Sequence, residues 1–169
     1  MTDLPPYTHV PGITPHPISD PHGHMGDADQ QRKELSPAGM LAHGMLLFNL
    51  GFYWEAHEAW EHLWIALGRS GSEADIIKGL IKLAACGVKC LEANPVGASR
   101  HASRAANLLD ITDKPDWLEV NLLAAHQIAA KAARNPPTLE IVSNGTPQAL
   151  PDFELIPQRG GEGGTAFNP

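Results

Sequence analysis

Between residues 54 and 64 the chain reads WEAHEAWEHLW, with three tryptophans, three glutamates and two histidines in eleven positions of an otherwise aliphatic, alanine-rich sequence. His57 and Glu61 stand four residues apart, so a helix puts both on one face, with the spacing that lets two side chains of one helix clasp a metal ion in HExxH sites. Glu58 projects one step further round. In a functional reading, His57, Glu58 and Glu61 are the catalytic residues. His57 and Glu61 bind a divalent metal ion or work as an acid–base pair, Glu58 is a further ligand or the base, and the surrounding indoles exclude water. The pocket is then walled by Tyr53, Trp54, Trp60 and Trp64. In a structural reading the carboxylate holds the imidazole by a hydrogen bond, and the pair fills a polar gap between helices. Spacing alone does not separate the two.

Three donors on one helix cannot close a metal shell, so a metal reading needs ligands from elsewhere. The densest histidine cluster in the chain lies in TPHPISDPHGH, where His16, His22 and His24 surround Asp20. An irregular arm laid over the WEAHEAWEHLW helix could bring His16 or His24 to His57 as metal ligands. A solvated loop whose histidines do nothing is the alternative. Lys78, Lys82 and Lys89 fall opposite the apolar stripe of their helix and read as solvated lysines. If that helix is central and covered on several sides, Lys82 instead reaches Glu58 or Glu61 and joins the pocket. His43 reads as packing, His101 as an edge histidine, and His126 as a surface one.

These residues need helices to position them, and the periodicity supplies an all-α bundle of about five, with an irregular arm over 1–35, a helical domain over 36–135 and a mostly irregular tail over 136–169. Ser36 and Pro37 have the residue types of an N-cap and a first helical position, and the first helix should run to about Leu50. The second runs from Phe52 to Leu67 and stops at Gly68 and Gly71. The third begins at Ser72 and buries Ile76, Ile77, Leu80, Ala84, Gly87, Val88 and Leu91 along one stripe. After the turn at 94–97, Ala98, Ala102, Ala105 and Leu109 give a small-residue face suited to close packing. A fifth helix is expected to open at Thr112 and to face Trp117, Leu118, Leu122, Ala125, Ile128, Ala129 and Ala132 inward until Pro136 and Pro137 end it. Leu139–Val142 and Phe153–Ile156 read as short extended apolar pieces. The glycine-rich end, GGEGGTAFNP, reads as mobile.

Bulk properties narrow the partners. A net charge of −7 with twelve scattered basic residues argues against nucleic acid. No stretch approaches the roughly 20 apolar residues of a membrane span, and no secretory leader opens the chain, so a soluble, cytoplasmic protein is expected. Cys86 and Cys90, four apart in a helical pattern, read as reduced small hydrophobes. No GxGxxG, P-loop, nucleophile elbow or CxxC is present.

FNLGFYWEAHEAWEHLW, followed by GLIKLAACGVKC and NPVGA, resembles the uncharacterised bacterial and archaeal DUF309 family, whose signature is FxxxHExxExxW, then a GLIQ-like helix and an N-x-x-G-A turn. The resemblance covers about Phe48 to Leu109. His57, Glu58, Glu61 and Trp64 fall on the signature, Tyr53 stands where the family has Phe, and Lys82 stands where it usually has Gln. TPHPISDPHGH is similar to leaders in a subset of the family, which points to His16 and His24 more than to His22. The resemblance implies an all-helical domain and a shared polar site, and it names no chemistry. A lysine ammonium that reached the carboxylates would compete with a metal cation there. Two functions are therefore carried forward. One is a small-molecule enzyme, such as a metal-assisted hydrolase. The other is a non-catalytic ligand-binding or homodimeric assembly module in which the His/Glu network is structural.

Overall fold

The computed structural model describes residues 4–25 and 35–158 and is all-α, with five helices and no strand among those residues. Helix α1, Pro37–Asn49, starts where its cap demands. The Ser36 hydroxyl accepts from the Gly39 amide, and Pro37 occupies the first turn. Helix α2, Tyr53–Ala66, carries WEAHEAWEHLW and ends at Gly68, whose φ of +82° suits a residue without a Cβ. Helix α3, Ser72–Leu91, is the longest at 20 residues. Helix α4, Pro95–Leu109, is capped by the Asn94 side chain, which accepts from the Gly97 amide. Helix α5, Leu122–Arg134, is capped in the same way by Asn121, which accepts from Ala124.

Each helix packs on its neighbour in sequence, so α3 lies between α2 and α4. It buries residues around most of its circumference, including Ile76, Ile77, Leu80, Leu83, Cys86 and Leu91. The small face of α4, with Ala98, Ala102 and Ala105 fully buried, lets that helix approach closely. Two glycines permit close approaches elsewhere. A Cβ on Gly44 would run into the Trp60 indole, and one on Gly87 into the Tyr53 ring.

The fifth helix starts later than its apolar spacing predicts. Leu118 and Val120 are buried but sit in a run of tight turns, with the Leu118 amide bonded to the Pro115 carbonyl and the Val120 amide to that of Leu118. The cap at Asn121, not the proline at 115, sets the start. The segment after α5 is irregular yet firmly attached. The Ser143 amide donates to the Leu91 carbonyl at 2.8 Å, the Leu150 amide to the Tyr53 hydroxyl at 2.9 Å, and Asn49 exchanges two hydrogen bonds with the Leu155 backbone. Leu150, Phe153 and Leu155 are core residues, and the Phe153 ring lies 5.0 Å from that of Phe48. Of the two apolar pieces read in the tail, the second buries Phe153 and Leu155, while the first only partly buries Leu139. Ile141, in the first, is 80% exposed. The glycine-rich end lies outside the described residues. Among the described residues no helix is long and apolar enough to cross a membrane.

Candidate functional site

Helix α2 carries two polar groups on different sides. Residues 55 and 57 are two steps apart, which on a helix with 3.6 residues per turn points them in nearly opposite directions. One side meets the arm. The other meets α3 and α4.

On the arm side the centre is Glu55, which is 1% exposed. Its Oε1 accepts from the His9 amide at 2.8 Å and its Oε2 from the Thr8 hydroxyl at 3.2 Å. His24 Nε2 lies 3.5 Å from Oε1, with its side chain 5% exposed. Thr8 and His9 are buried as well, so the carboxylate is enclosed by donors that the arm supplies. The arm is tied elsewhere too. The Thr8 amide donates to the Gly145 carbonyl, and His9 Nδ1 meets the Thr14 hydroxyl at 2.8 Å. The half-buried Trp54 packs here, edge-on to His9 at 5.1 Å and to His16 at 5.5 Å. Burial lowers the His9 pKa, the neighbouring His16 adds to that, and Glu55 opposes it.

On the other side, one ligand atom each from His57, Glu58 and Glu61 lies within 4.8 Å of the others, and all three residues are half-buried. The i, i+4 spacing of His57 and Glu61 and the adjacency of Glu58 produce this grouping, as the sequence led one to expect. His57 Nδ1 is buried and has no hydrogen-bond partner. Glu58 Oε1 is 3.7 Å away, too far for a hydrogen bond. Burial lowers the His57 pKa, with Glu61 opposing and Lys82 adding to the effect, so the ring is neutral and has a lone pair to offer.

Lys82 on α3 is half-buried at this seam, close enough for its charge to act on two imidazoles, His57 and His101. His101, on α4, has a buried Nδ1 without a partner, and burial followed by Lys82 lowers its pKa. Trp64, one turn beyond Glu61, likewise buries an indole N–H that finds no acceptor, while Arg69 covers its ring at 5.9 Å. Three elements thus contribute to one seam.

Several residues assigned to this pocket from sequence stand elsewhere. Tyr53 and Trp60 are fully buried and belong to the core, not to pocket walls. The Tyr53 hydroxyl is used by the Leu150 amide, and the Trp60 indole donates to the Leu41 carbonyl at 3.3 Å. Both rings fit because Gly87 and Gly44 leave room for them. Trp54 is taken up by the arm. His16 and His24 are not members of the His57, Glu58 and Glu61 group. The arm does lie on α2, but it reaches the Glu55 side. There His24 faces Glu55, and His16 Nδ1 accepts from the Ile18 and Ser19 amides at 3.2 Å. His22 is exposed. His126, expected on the surface, is half-buried with Nδ1 2.9 Å from the Ala106 carbonyl.

Two residues were missed as participants. Glu55 was passed over, although Phe52 and Ala59, its neighbours one turn away on the same face, mark that face as buried. His101 was read as an edge residue, and only the close approach of the alanine face brings it toward His57.

Residues 41–101 match the model of DUF309, a domain of unknown function. The matched stretch runs from Leu41 in α1 to His101 in α4, so it contains every residue of the seam and neither the arm nor the tail. No curated protein matches the chain.

Proposed function

We propose, taking residues 41–101 as a DUF309 domain, that the seam between α2, α3 and α4 is its functional centre, a site for one divalent metal ion at which a small molecule is hydrolysed. The observation that carries this reading is the gathering of a neutral imidazole with an unpartnered, buried Nδ1 and two carboxylates within 4.8 Å. A buried polar atom without a partner costs stability, and a ligand removes that cost. The donor set fits a divalent transition ion. One nitrogen and two oxygens suit zinc, manganese or iron, and the further ligand that such a one-helix set needs, which neither His16 nor His24 supplies, falls to water or substrate. Lys82 works against a cation there, and the two carboxylates offset it.

His57 and Glu61, one turn apart, hold the ion. Glu58 would be the third donor through one carboxylate oxygen, and its other oxygen would take up the proton of an attacking water, a role suited to a carboxylate whose side chain is only 15% exposed. When bound, the ion supplies a Lewis acid for a carbonyl or phosphoryl oxygen. Trp64 and the packed seam keep bulk water away from the reacting atoms.

Elemental analysis of untagged protein purified without chelator tests this, beside a His57→Ala, Glu61→Ala double variant checked to be folded. Near-stoichiometric metal that disappears in the folded variant is the expected result. Metal-free protein that also fails to take up zinc, manganese or iron on reconstitution would remove the metal reading. The same residues would then form a polar clasp in a binding or homodimeric assembly module.

A further inference from the structure

We infer that the outward face of α1 is a homodimer interface, on which a second copy of this chain docks around a two-fold axis beside Ala42. This goes beyond the reading of the seam and stands whether or not a metal binds there.

A helix on the surface of a bundle ordinarily turns charged or polar residues outward. Helices α3, α4 and α5 do so with Lys78, Arg104 and Lys131, all exposed. Helix α1 does not. Its exposed residues are Pro37, Ala38, Ala42 and Leu46, with Leu35 before it and Leu50 at its C-cap, and from Leu35 to Trp54 the chain has no Asp, Glu, Lys or Arg. Leu35, Leu46 and Leu50 are 41%, 44% and 40% exposed. Residues 38, 42, 46 and 50 make one ridge of the i±4 kind, which packs against a copy of itself at a crossing angle of about −50°. Ala42, at the middle of the ridge, lets two such helices approach closely, and antiparallel pairing there sets Leu46 over Ala38 of the second copy. Beside the ridge lies a groove of about 240 Å³ between α1 and the turns at 117–119. Leu41, Met45 and Trp117 line it, so the face carries both a projecting leucine and a hollow to receive one, as a two-fold interface requires.

Charge and area select the occupant. The ridge holds no charge, and Glu119 lies only at the groove, so a second copy meets the ridge without burying an unpaired ion. A membrane surface is the poorer match. A helix lying on anionic lipid has Lys or Arg beside its apolar stripe, and α1 has neither, in a chain of net charge −7. From Leu35 to Leu50 the ridge is about 24 Å long, and with the turns at 117–119 beside it the face is about two helix diameters wide. Those dimensions give on the order of 500 Å² per copy and 1,000 Å² for the pair, the lower limit for a specific interface and the range of a weak, reversible dimer.

Analytical ultracentrifugation over a range of protein concentration tests the inference. Wild type should pass from monomer to dimer with a dissociation constant on the order of 100 µM or tighter. Leu46→Glu, which places two like charges in the interface, should weaken dimerisation by about tenfold or more. Val96→Glu, at a position 67% exposed on α4, should leave it unchanged. Added salt should strengthen the dimer, because it screens the repulsion between two chains of charge −7 and has no ion pair to break along the ridge. Ala42→Cys gives a second readout. Residues beside a two-fold axis come within the Cα separation of about 7 Å that a disulfide spans, so oxidation should link two copies, while Cys86 and Cys90 are buried and do not interfere. Circular dichroism shows whether each variant is folded, and the Ala42→Cys link decides the matter if Leu46→Glu is not. Protein that stays monomeric up to about 1 mM, or a dimer that folded Leu46→Glu leaves intact, would overturn the inference. So would monomeric protein that co-sediments with phosphatidylglycerol vesicles and loses that binding in Leu46→Glu, a result that would assign the face to a membrane surface.

Discussion

The two sides of α2 carry the same kinds of group, a carboxylate near histidines, and differ in how fully those groups are satisfied. At Glu55 both carboxylate oxygens accept hydrogen bonds, although His24 Nε2, 3.5 Å from Oε1, is itself buried without a hydrogen bond. At His57 a buried ring nitrogen has no partner, and two further buried nitrogens around the seam, on His101 and Trp64, have none either. A carboxylate saturated by its own chain contributes to folding, whereas a buried polar atom left without a partner costs stability, a cost that a bound ligand would remove. The arm is thus a fastening that uses chemistry resembling a site. The seam is a site that the fold leaves unsatisfied.

The largest effect on stability should come from breaking the saturated side. Glu55→Ala removes the acceptor of two buried donors, the His9 amide and the Thr8 hydroxyl, and should cost about 2–4 kcal/mol in urea unfolding. Loss of less than about 1 kcal/mol would mean that the arm is not fastened there. A smaller effect follows from pH. Burial holds the folded-state pKa of His9 below its value of about 6.5 in the unfolded chain. The unfolded chain therefore binds the proton more readily. The stability of the arm is complete above about pH 6.5 and erodes as the pH falls from there toward the lowered folded-state value. Thr14, Glu55, His16 and His24 face this ring, and the charge on Glu55 opposes the loss without cancelling it. Hydrogen exchange at the Thr8 amide, bonded to Gly145, should accelerate on acidification, and His9→Asn should flatten that dependence. The smallest effect on stability belongs to the unsaturated side, where His57→Ala should shift metal-free stability by under about 1 kcal/mol, since the variant removes a buried nitrogen that had no partner.

The sequence made the helices and the His57, Glu58 and Glu61 grouping legible because both depend on spacing along a single element. Caps at Ser36 and the periodic stripe of α3 needed nothing beyond local chemistry. What depended on tertiary approach was harder to see. The glycines that admit Trp60 and Tyr53 into the core sit on other helices, at 44 and 87, so two aromatics next to the motif looked like pocket walls. The arm's contact with α2 stood open beside a solvated loop, and its choice of side had no signal at all. A loop without periodicity carries no register, and the docking is decided by the buried Glu55 and by Gly145, which is distant in sequence. The late start of α5 has a similar cause. Leu118 and Val120 satisfy an apolar pattern in a run of turns as readily as in a helix.

Urea unfolding of wild type, Glu55→Ala and His57→Ala, Glu61→Ala, each without and with manganese at about 100 times its dissociation constant, tests the contrast most directly. A metal held by His57 and Glu61 should raise the stability of wild type and of Glu55→Ala by about 2.7 kcal/mol and leave the double variant unchanged, while only Glu55→Ala loses much stability without metal. Manganese that stabilises none of the three, together with a double variant as unstable as Glu55→Ala, would show that both sides of α2 are fastenings and would contradict the assignment of the seam as the functional centre.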